Sequence, residues 1–372
     1  MKMPFLDLHW QYSPMKNEIF EAFEDVFENS RFIMNKSVKE LEEKFAKLHN
    51  AKYAIAVSSG TAALHCSLMA LDIKSGDEVI TTPFTFIATS NVITSTGAKP
   101  VYVDIYPDTF NINPSQIEDK ITNKTKAIIP VHLYGQSADL DKIKQIAEKY
   151  NLNIIEDAAQ AYLAEYNGKS VGTFGDIGCF SLYPGKNLGA FGEGGMIITN
   201  NDEIAKLLRE KRNNGISPEG SKYFNHTTGL NYRMNELTAA IMLKYIHKIS
   251  EWNLRREKNA EYYDKELSQL PGIEVPSKQK NVKHVYHQYV IRAKNRQALH
   301  EYLKQKEIPT DVHYPTPLHL MPAYSHLGYK KADFPEAEKA GEEVLSLPIG
   351  PHLTSENLME VTKEIKNFVF NR

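Results

Sequence analysis

The sequence predicts an α/β fold with a mostly parallel central sheet. Short apolar runs recur through the first half of the chain, and helix-like stretches of about 10–15 residues separate them. Parallel strands need crossover connections, which helices usually supply because they also cover the faces of the sheet. The runs are Tyr53–Val57, Glu78–Thr81, Pro100–Val103, Ala127–Val131 and Asn153–Ile155.

Helical patterns flank this alternation on both sides. Apolar residues at three- and four-residue steps predict an amphipathic helix over Pro14–Glu28 and a second over Val38–Leu48. Two further β-like stretches, Ile177–Leu182 and Met196–Thr199, lead into a charged helix over Asp202–Arg212, where we expect the sheet to end.

A length of 372 residues suggests two domains. A long helical pattern over Asn235–Leu270 is expected to join them. We therefore predict a large domain over residues 1–235, and a linking helix with a small α+β domain over residues 236–372. The small domain contains the strand-like Tyr286–Arg292 and helical patterns over Arg296–Lys306 and Pro335–Leu345.

Composition excludes several classes of function. Lys and Arg number 44 against 46 Asp and Glu, and neither sign forms a long block, so a nucleic-acid partner is not expected. No apolar run approaches the roughly 18–20 residues of a membrane span, and the N-terminus lacks the apolar region of a signal peptide. We expect a cytoplasmic protein with no membrane association.

Two cysteines, Cys66 and Cys179, lie in apolar stretches and lack the CxxC spacing of zinc or iron–sulfur sites. We interpret both as buried thiols of a reducing compartment, and we expect no bound metal.

Lys186 is the most informative candidate for chemistry. It lies in the Gly- and Pro-containing stretch Ser181–Gly189, where a strand runs into a tight turn. An isolated lysine is usually a solvated surface charge. In an apolar pocket, however, an amine loses its proton more easily and becomes nucleophilic, which suits Schiff-base formation. The competing P-loop pattern GxxxxGK[ST] is absent.

Asp157 lies at the end of the apolar strand Ile154–Asp157, at the edge of an open sheet where ligands bind. The carboxylate could simply cap the next helix. Together with Lys186 it suggests a partner for a pyridinium nitrogen.

A third element has the form strand, glycine turn, helix. In Val57–Leu64 the first N–H groups of the helix would be available to a phosphate, with Gly60 and Thr61 at the turn and Ser181 as a further hydroxyl donor. Pyridoxal 5′-phosphate (PLP) satisfies all three elements through its aldehyde, ring nitrogen and phosphate. Phe86 is either a stacking partner of the ring or a core aromatic, and periodicity does not separate these alternatives.

These motifs together resemble the DegT/DnrJ/EryC1/StrS nucleotide-sugar aminotransferases, which are fold-type I, PLP-dependent enzymes related in architecture to aspartate aminotransferase. The resemblance extends over nearly the whole chain. It rests on Arg31–Ile33, Ser58–Leu64, Gly76–Ile80, Glu156–Gln160, Ser181–Gly189, Asn231–Leu237 and His313–Pro315.

The resemblance implies the roles of the cofactor site. Lys186 forms the Schiff base and moves the proton, Asp157 keeps the ring nitrogen protonated, and Gln160 lies against the ring hydroxyl. Phe86 stacks on the ring. Gly60, Thr61 and Ser181 hold the phosphate. Asn231 reaches the cofactor phosphate of a neighbouring subunit, so a homodimer with shared active sites is expected.

The substrate side is implied in the same way. The expected substrates are L-glutamate and a nucleotide-linked keto-sugar, and the product would serve surface polysaccharides such as lipopolysaccharide O-antigen. His313 and Tyr314 are expected to face the sugar or pyrophosphate, and Arg233 of the partner subunit a phosphate; for these residues an ordinary loop position is the alternative. Phe32 and Tyr183 are further substrate candidates.

The stretch His313–Tyr324 and the stretch Leu345–Pro348 resemble the branch that aminates C3, and His319–Tyr329 resembles its dTDP-3-keto-6-deoxyhexose subgroup. A UDP-3-keto-hexuronate, or a C4 aminotransferase acting on a UDP-, dTDP- or GDP-linked 4-keto-sugar, remains an alternative. A non-catalytic regulator is the alternative from another class.

Overall fold

The computed structural model describes residues 3–217 and 224–370 and contains a seven-stranded central sheet. The strands lie in the order β1-β9-β8-β5-β4-β2-β3. Their bounds are β1 Tyr53–Val57, β2 Glu78–Thr81, β3 Lys99–Tyr102, β4 Thr125–Ile128, β5 Asn153–Asp157, β8 Ile177–Ser181 and β9 Gly195–Thr199.

The predicted mostly parallel sheet is confirmed. Strands β8, β5, β4, β2 and β3 pair in parallel, whereas β9 is antiparallel to both of its neighbours, β8 and β1. Two reversals leave β1 parallel to β8. The carboxyl ends of β1, β5 and β8, at Val57, Asp157 and Ser181, therefore lie at the same edge of the sheet.

Helices cover both faces of this sheet. In β1, Ile55 and Val57 pack with α4, α5 and α7, and Ala54 and Ala56 pack on the opposite face with α3 and α8. Burial of both faces explains why the strands read as continuous apolar runs. The helices of this part are α1 Leu8–Tyr12, α2 Lys16–Glu28, α3 Lys36–His49, α4 Gly60–Ala70, α5 Ala88–Ser95, α6 Leu140–Tyr150, α7 Asp202–Arg212 and α8 Glu236–Tyr245.

The predicted single helix over Asn235–Leu270 is wrong in one respect. It is divided into α8 and α9, Ile249–Leu267, by a 3-10 turn over Ile246–Lys248. The apolar pattern continues through the turn because Tyr245, Ile246 and Ile249 are all buried in the same cluster, so periodicity alone does not reveal the break.

The remaining residues build two small sheets and three more helices. Strands β10 Ile273–Glu274, β12 Tyr289–Ala293 and β13 Val344–Leu347 form one antiparallel sheet, and its apolar cluster includes residues of α9. The other elements are β6 Glu165–Tyr166, β7 Lys169–Ser170, β11 Val282–Lys283, α10 Arg296–Gln305, α11 Pro335–Glu343 and α12 Ser355–Phe370.

Both cysteines are buried and form no disulfide, as the sequence predicted. Among the described residues, no helix combines the length and the hydropathy that crossing a bilayer requires.

Glu156 fixes the strand that carries Asp157. Its carboxylate is fully buried and accepts hydrogen bonds of 2.7 Å from the backbone N–H groups of Gly172, Phe174 and Gly175. It also contacts Nε2 of His132 at 3.0 Å. These four contacts satisfy the buried carboxylate. Because three of them come from Gly172, Phe174 and Gly175, they also hold β5 against the loop that precedes β8.

Replacing this carboxylate should destabilise the protein. We expect Glu156→Gln to lower the free energy of unfolding by about 2–4 kcal/mol, since the amide N–H₂ would face backbone donors in a buried site. Urea unfolding followed by circular dichroism measures the change. Glu165→Gln, which removes a surface ion pair with Lys283, is the control and should cost less than about 1 kcal/mol. Equal effects in the two variants would contradict this role.

Candidate active site

A cavity of about 640 Å³ opens at the edge of the sheet where β1, β5 and β8 end. Ten of the thirteen site residues predicted from the sequence line it. They are Gly60, Thr61, Phe86, Asp157, Gln160, Ser181, Tyr183, Lys186, His313 and Tyr314.

Lys186 lies in a tight turn, in which its N–H donates to the carbonyl of Tyr183 at 2.8 Å. It lines the cavity and is half-buried, so part of the residue remains accessible to solvent. Burial lowers the pKa of Lys186 to about 8, and the carboxylate of Asp157 partly opposes this effect. The structure therefore places an amine that loses its proton near neutral pH inside the cavity, as a nucleophilic lysine requires.

Asp157 is 4% exposed and is held at two atoms. Oδ2 accepts a hydrogen bond of 2.8 Å from the Thr89 hydroxyl, and Oδ1 accepts one of 3.2 Å from the N–H of Ala159. Burial raises the pKa of Asp157, while the Thr89 and Ala159 hydrogen bonds and the charge of Lys186 lower it. The bond to Ala159 has the geometry of the helix-cap alternative, but no α-helix begins there, so the carboxylate faces the cavity without a capping role.

The first turn of α4 forms the third side of the cavity. The side chain of Ser59 caps this helix by accepting a hydrogen bond from the N–H of Ala62 at 3.0 Å. The N–H groups of Gly60 and Thr61 have no acceptor within the helix and are available to an anion. A Cβ atom at Gly60 would lie 2.7 Å from Cβ of Ser181, so only glycine permits this approach.

Phe86 is 56% exposed and lines the cavity, which rules out the core-aromatic alternative. Its ring centroid lies 6.3 Å from that of Tyr314. Gln160 is fixed by two hydrogen bonds: Oε1 accepts from the N–H of Tyr134 at 2.7 Å, and Nε2 donates to the hydroxyl of Tyr314 at 3.1 Å.

His313 completes this wall through its ring. Nδ1 contacts the hydroxyl of Ser346 at 2.8 Å, and Nε2 lies 3.6 Å from Oδ2 of Asp311. Burial lowers the pKa of His313, and Lys186 acts in the same direction, whereas Asp311 opposes them. His313 is therefore mainly neutral at neutral pH.

Three predicted residues do not line the cavity of their own chain: Phe32, Asn231 and Arg233. Residues 231–233 run beside the end of β1, where the N–H of Ser58 donates to the carbonyl of Tyr232 at 2.8 Å. Nε of Arg233 donates to Oδ1 of Asn231 at 2.9 Å. Their placement outside the cavity agrees with a role toward a partner subunit and does not test it.

Other cavity residues were not found from the sequence. Thr89, His287, Gln288, Arg256 and Glu193 all line the cavity. Thr89 lies three residues after Phe86, so a search for hydroxyls near the end of β2 could have found it. His287 and Arg256 carry no comparable signal in the sequence. His287 lies just before β12 and Arg256 lies on α9, and only the tertiary fold places both at the cavity.

The three sides of the cavity fit PLP. An anion-binding helix terminus at Gly60, a buried carboxylate at Asp157 and an amine at Lys186 match the phosphate, ring nitrogen and aldehyde in chemistry. Gly60 matters most for this fit. A Cβ at this position would clash with Ser181 and would move the start of α4 away from the Ser181 hydroxyl.

Comparison with known proteins identifies relatives along the whole chain. The model of the DegT/DnrJ/EryC1/StrS aminotransferase family matches residues 14–366. A "Pleiotropic regulatory protein" of Geobacillus stearothermophilus is 47% identical and is covered over 99% of both chains.

Two further relatives have enzyme names. A dTDP-3-amino-3,6-dideoxy-alpha-D-galactopyranose transaminase of Aneurinibacillus thermoaerophilus is 43% identical, over 98% of this chain and 99% of that one. A UDP-2-acetamido-2-deoxy-3-oxo-D-glucuronate aminotransferase of Pseudomonas aeruginosa is 41% identical, over 98% and 99%.

A similar fold is found in a solved structure, the crystal structure of S. venezuelae DesV in complex with a ketimine intermediate. It superposes with a TM-score of 0.96 and 38% identity, covering 99% of this chain and 98% of that one. This likeness confirms the predicted fold-type I architecture.

The lowered pKa of Lys186 predicts how the cofactor-free enzyme takes up PLP. Uptake needs the unprotonated amine, so its rate should rise with pH through about 8 rather than through the ordinary lysine value of 10.5. Asp157→Asn should move the midpoint to lower pH, because the carboxylate raises the pKa of Lys186. Stopped-flow absorbance measures the rate. Asp311→Asn, an exposed carboxylate beside His313, is the control; a midpoint near 10.5 in the unmodified enzyme would refute the assignment.

Proposed function

We propose that this chain, which belongs to the DegT/DnrJ/EryC1/StrS aminotransferase family, transfers the amino group of L-glutamate to C3 of a dTDP-linked 3-keto-6-deoxyhexose. The chain is a PLP-dependent aminotransferase of nucleotide-linked sugars. The amino donor, the nucleotide, the sugar and the position of the new amine are the proposed parts.

One observation carries the proposal: a single cavity contains an amine of lowered pKa, a buried carboxylate and an anion-binding helix terminus. A regulator without catalysis would need none of these in combination. The relative named as a regulatory protein therefore does not argue for a regulatory role here.

The side chains divide the work of transamination in this proposal. When bound, PLP supplies an electron sink for the pair released at the donor carbon. Lys186, with a pKa of about 8, takes the proton from that carbon and returns it at neutral pH. Asp157 would hold a proton on the ring nitrogen of the bound cofactor, and the hydrogen bond from Thr89 orients its carboxylate. Phe86, which lines the cavity, would stack on that ring and limit the access of water.

Both amino-acid donor and keto-sugar use the same cavity in succession. Lys186 serves both half-reactions, so the first product leaves before the second substrate binds, and ping-pong kinetics follow. His313 and Tyr314 line this same cavity and are the residues proposed to contact the sugar.

Two observations support amination at C3. Two relatives above 40% identity have names that place the amino or oxo group at position 3 of the sugar. The segment from His313 to Tyr324, which resembles the C3 branch in sequence, contributes His313 and Tyr314 to the cavity. It packs near the end of β2, where the N–H of Leu318 donates to the carbonyl of Pro83 at 2.7 Å. Tyr324 donates to Oδ1 of Asn91 at 2.6 Å.

We also propose that two copies share their active sites. Asn231 and Arg233 do not line the cavity of their own chain, so the cofactor-site role predicted for them would involve another copy. An aromatic cluster on α2 and its following turn is exposed: Phe23, Phe27 and Phe32 are 43%, 51% and 41% accessible. Their rings contact one another at centroid distances of 4.8 and 5.4 Å. Exposed apolar patches of this kind mark protein interfaces.

The sugar is tested by the second half-reaction. The enzyme is converted with glutamate to its pyridoxamine phosphate form, and 3-keto and 4-keto nucleotide sugars are then offered separately. We expect the original cofactor absorbance to return with the dTDP-3-keto-6-deoxysugar and not in Lys186→Ala. Return with only a 4-keto sugar, or only a UDP-3-keto-hexuronate, would replace the proposed substrate. The absence of any bound cofactor would favour a regulator.

Shared sites are tested by mixing subunits. Lys186→Ala and Arg233→Ala should each be inactive alone, whereas refolding them together creates mixed dimers with one intact site. Random pairing should restore about a quarter of the unmodified activity. Mixing Lys186→Ala with Asp157→Asn, two changes within one chain's cavity, is the control and should place a defect in every site. No recovery in the first mixture would argue against shared sites.

A further inference from the structure

Arg256 is a buried cation whose described hydrogen-bond partners are neutral backbone carbonyls. The residue is 4% exposed and lies on the inward face of α9. Nη1 donates to the backbone carbonyls of Tyr286 at 3.1 Å and His287 at 3.4 Å. Nε is buried and has no hydrogen-bond partner.

Other arginines of the chain show the usual arrangement. Arg212 pairs with Glu42, Arg255 with Glu251 and Arg292 with Glu343. Within residues 3–217 and 224–370, no Asp or Glu forms an ion pair with Arg256, and burial is the cause that lowers its pKa, to about 10. Arg256 therefore keeps its charge at neutral pH. A buried charge without a counter-charge is costly, so an anionic ligand in the cavity would stabilise it.

Arg256 faces the cavity that contains Lys186. Two contacts connect the residues. Asn253, three residues earlier on the same face of α9, accepts a hydrogen bond of 2.8 Å from Asn187, the neighbour of Lys186. His287, whose carbonyl accepts from Arg256, contacts Oδ1 of Asn187 through Nδ1 at 3.2 Å. Because three residues span about 4.5 Å of helix, Arg256 lies about one turn along α9 from Asn253, which contacts the lysine's neighbour.

The polar groups around this part of the cavity leave an anion as the matching ligand. Burial lowers the pKa of both His287 and His313, and the charge of Lys186 acts in the same direction, so neither histidine supplies a second full charge at neutral pH. The guanidinium is the permanent cation of this wall. A planar guanidinium binds carboxylates through paired N–H groups.

We propose that Arg256 binds a carboxylate group of the amino-acid donor. The inference rests on the proposed transamination, because only then does an amino acid enter the cavity. Arg256 lines the same cavity as Lys186, and Asn253 and His287 connect its surroundings to Asn187, the neighbour of that lysine. The carboxylate would be held while Lys186 handles the proton of the adjacent carbon. Arg256 would thus set the preference for the donor and leave the sugar half-reaction to other residues.

The test compares Arg256→Gln and Arg256→Lys with Arg255→Gln in the PLP-loaded enzyme. Arg255 is the matched control, because it is the adjacent residue with the same charge. Its side chain is exposed to solvent and pairs with Glu251. Three quantities are measured: the glutamate concentration that half-saturates the first half-reaction, the rate with keto-sugar in the second, and the dissociation constant of glutarate by calorimetry. Glutarate carries two carboxylates and no amino group, so its binding is independent of catalysis.

We expect both Arg256 variants to raise the glutamate and glutarate constants roughly 30-fold or more, as loss of one partner of a buried charge pair does. The keto-sugar half-reaction should change by less than about twofold, and Arg255→Gln should behave as the unmodified enzyme. Arg256→Lys keeps a donor for the two backbone carbonyls, so it decides the result if the glutamine variant folds poorly.

Several results would overturn the inference. Unchanged glutamate and glutarate constants would show that Arg256 binds no donor carboxylate. A loss confined to the sugar half-reaction would assign the residue to an acidic sugar, and an equal loss in both would assign it to the cavity wall. Failure of the unmodified enzyme with every keto-sugar would instead refute the proposed function, and glutarate binding would still test Arg256.

Discussion

The site depends on a contact between backbones, with no side chain to separate them. At Gly195, a Cβ would lie 2.2 Å from the carbonyl oxygen of Ser59, and at Gly60 it would meet Ser181. These two glycines let the turn before α4 lie directly on β8 and β9. The unpaired N–H groups of the helix and the hydroxyl of Ser181 are then close enough to be available to one anion, and a larger residue at either position would separate them.

The same sheet edge brings groups of opposite character together at low solvent exposure. Burial raises the pKa of Asp157 and the hydrogen bonds from Thr89 and Ala159 oppose that rise, while burial lowers the pKa of Lys186. Neutral His287 and His313 add hydrogen-bonding capacity without adding charge. The balance leaves an amine available at neutral pH and a permanent positive charge at Arg256, a combination suited to acidic substrates.

The local sequence was sufficient to predict those site residues that belong to a short motif at the end of a strand. Lys186, Asp157 and Gly60 each follow a strand in a short motif, and parallel pairing brings such motifs to one edge, so their meeting could be predicted. The break between α8 and α9 could not, because Ile246 and Ile249 keep the apolar pattern through it. Arg256 was also missed: one arginine in a charged helix looks like any other until tertiary packing buries it. The roles of Phe32, Asn231 and Arg233 remain predictions, since a single chain does not contain the surfaces they would meet.

The cavity walls are built from segments that are far apart in the sequence, so the cavity depends on long-range contacts. Phe5 and Leu6 line one side and Ile349 and Gly350 another, and Nε2 of His352 contacts the carbonyl oxygen of Pro4 at 3.0 Å across 348 positions of sequence. Contacts of such long range form late, because closing the loop costs entropy before the contact repays it. A growing chain therefore has no complete cavity until Ile349 and Gly350 have been synthesised. A cofactor that needs the complete cavity would therefore bind after these contacts have formed and would not guide the early steps of folding.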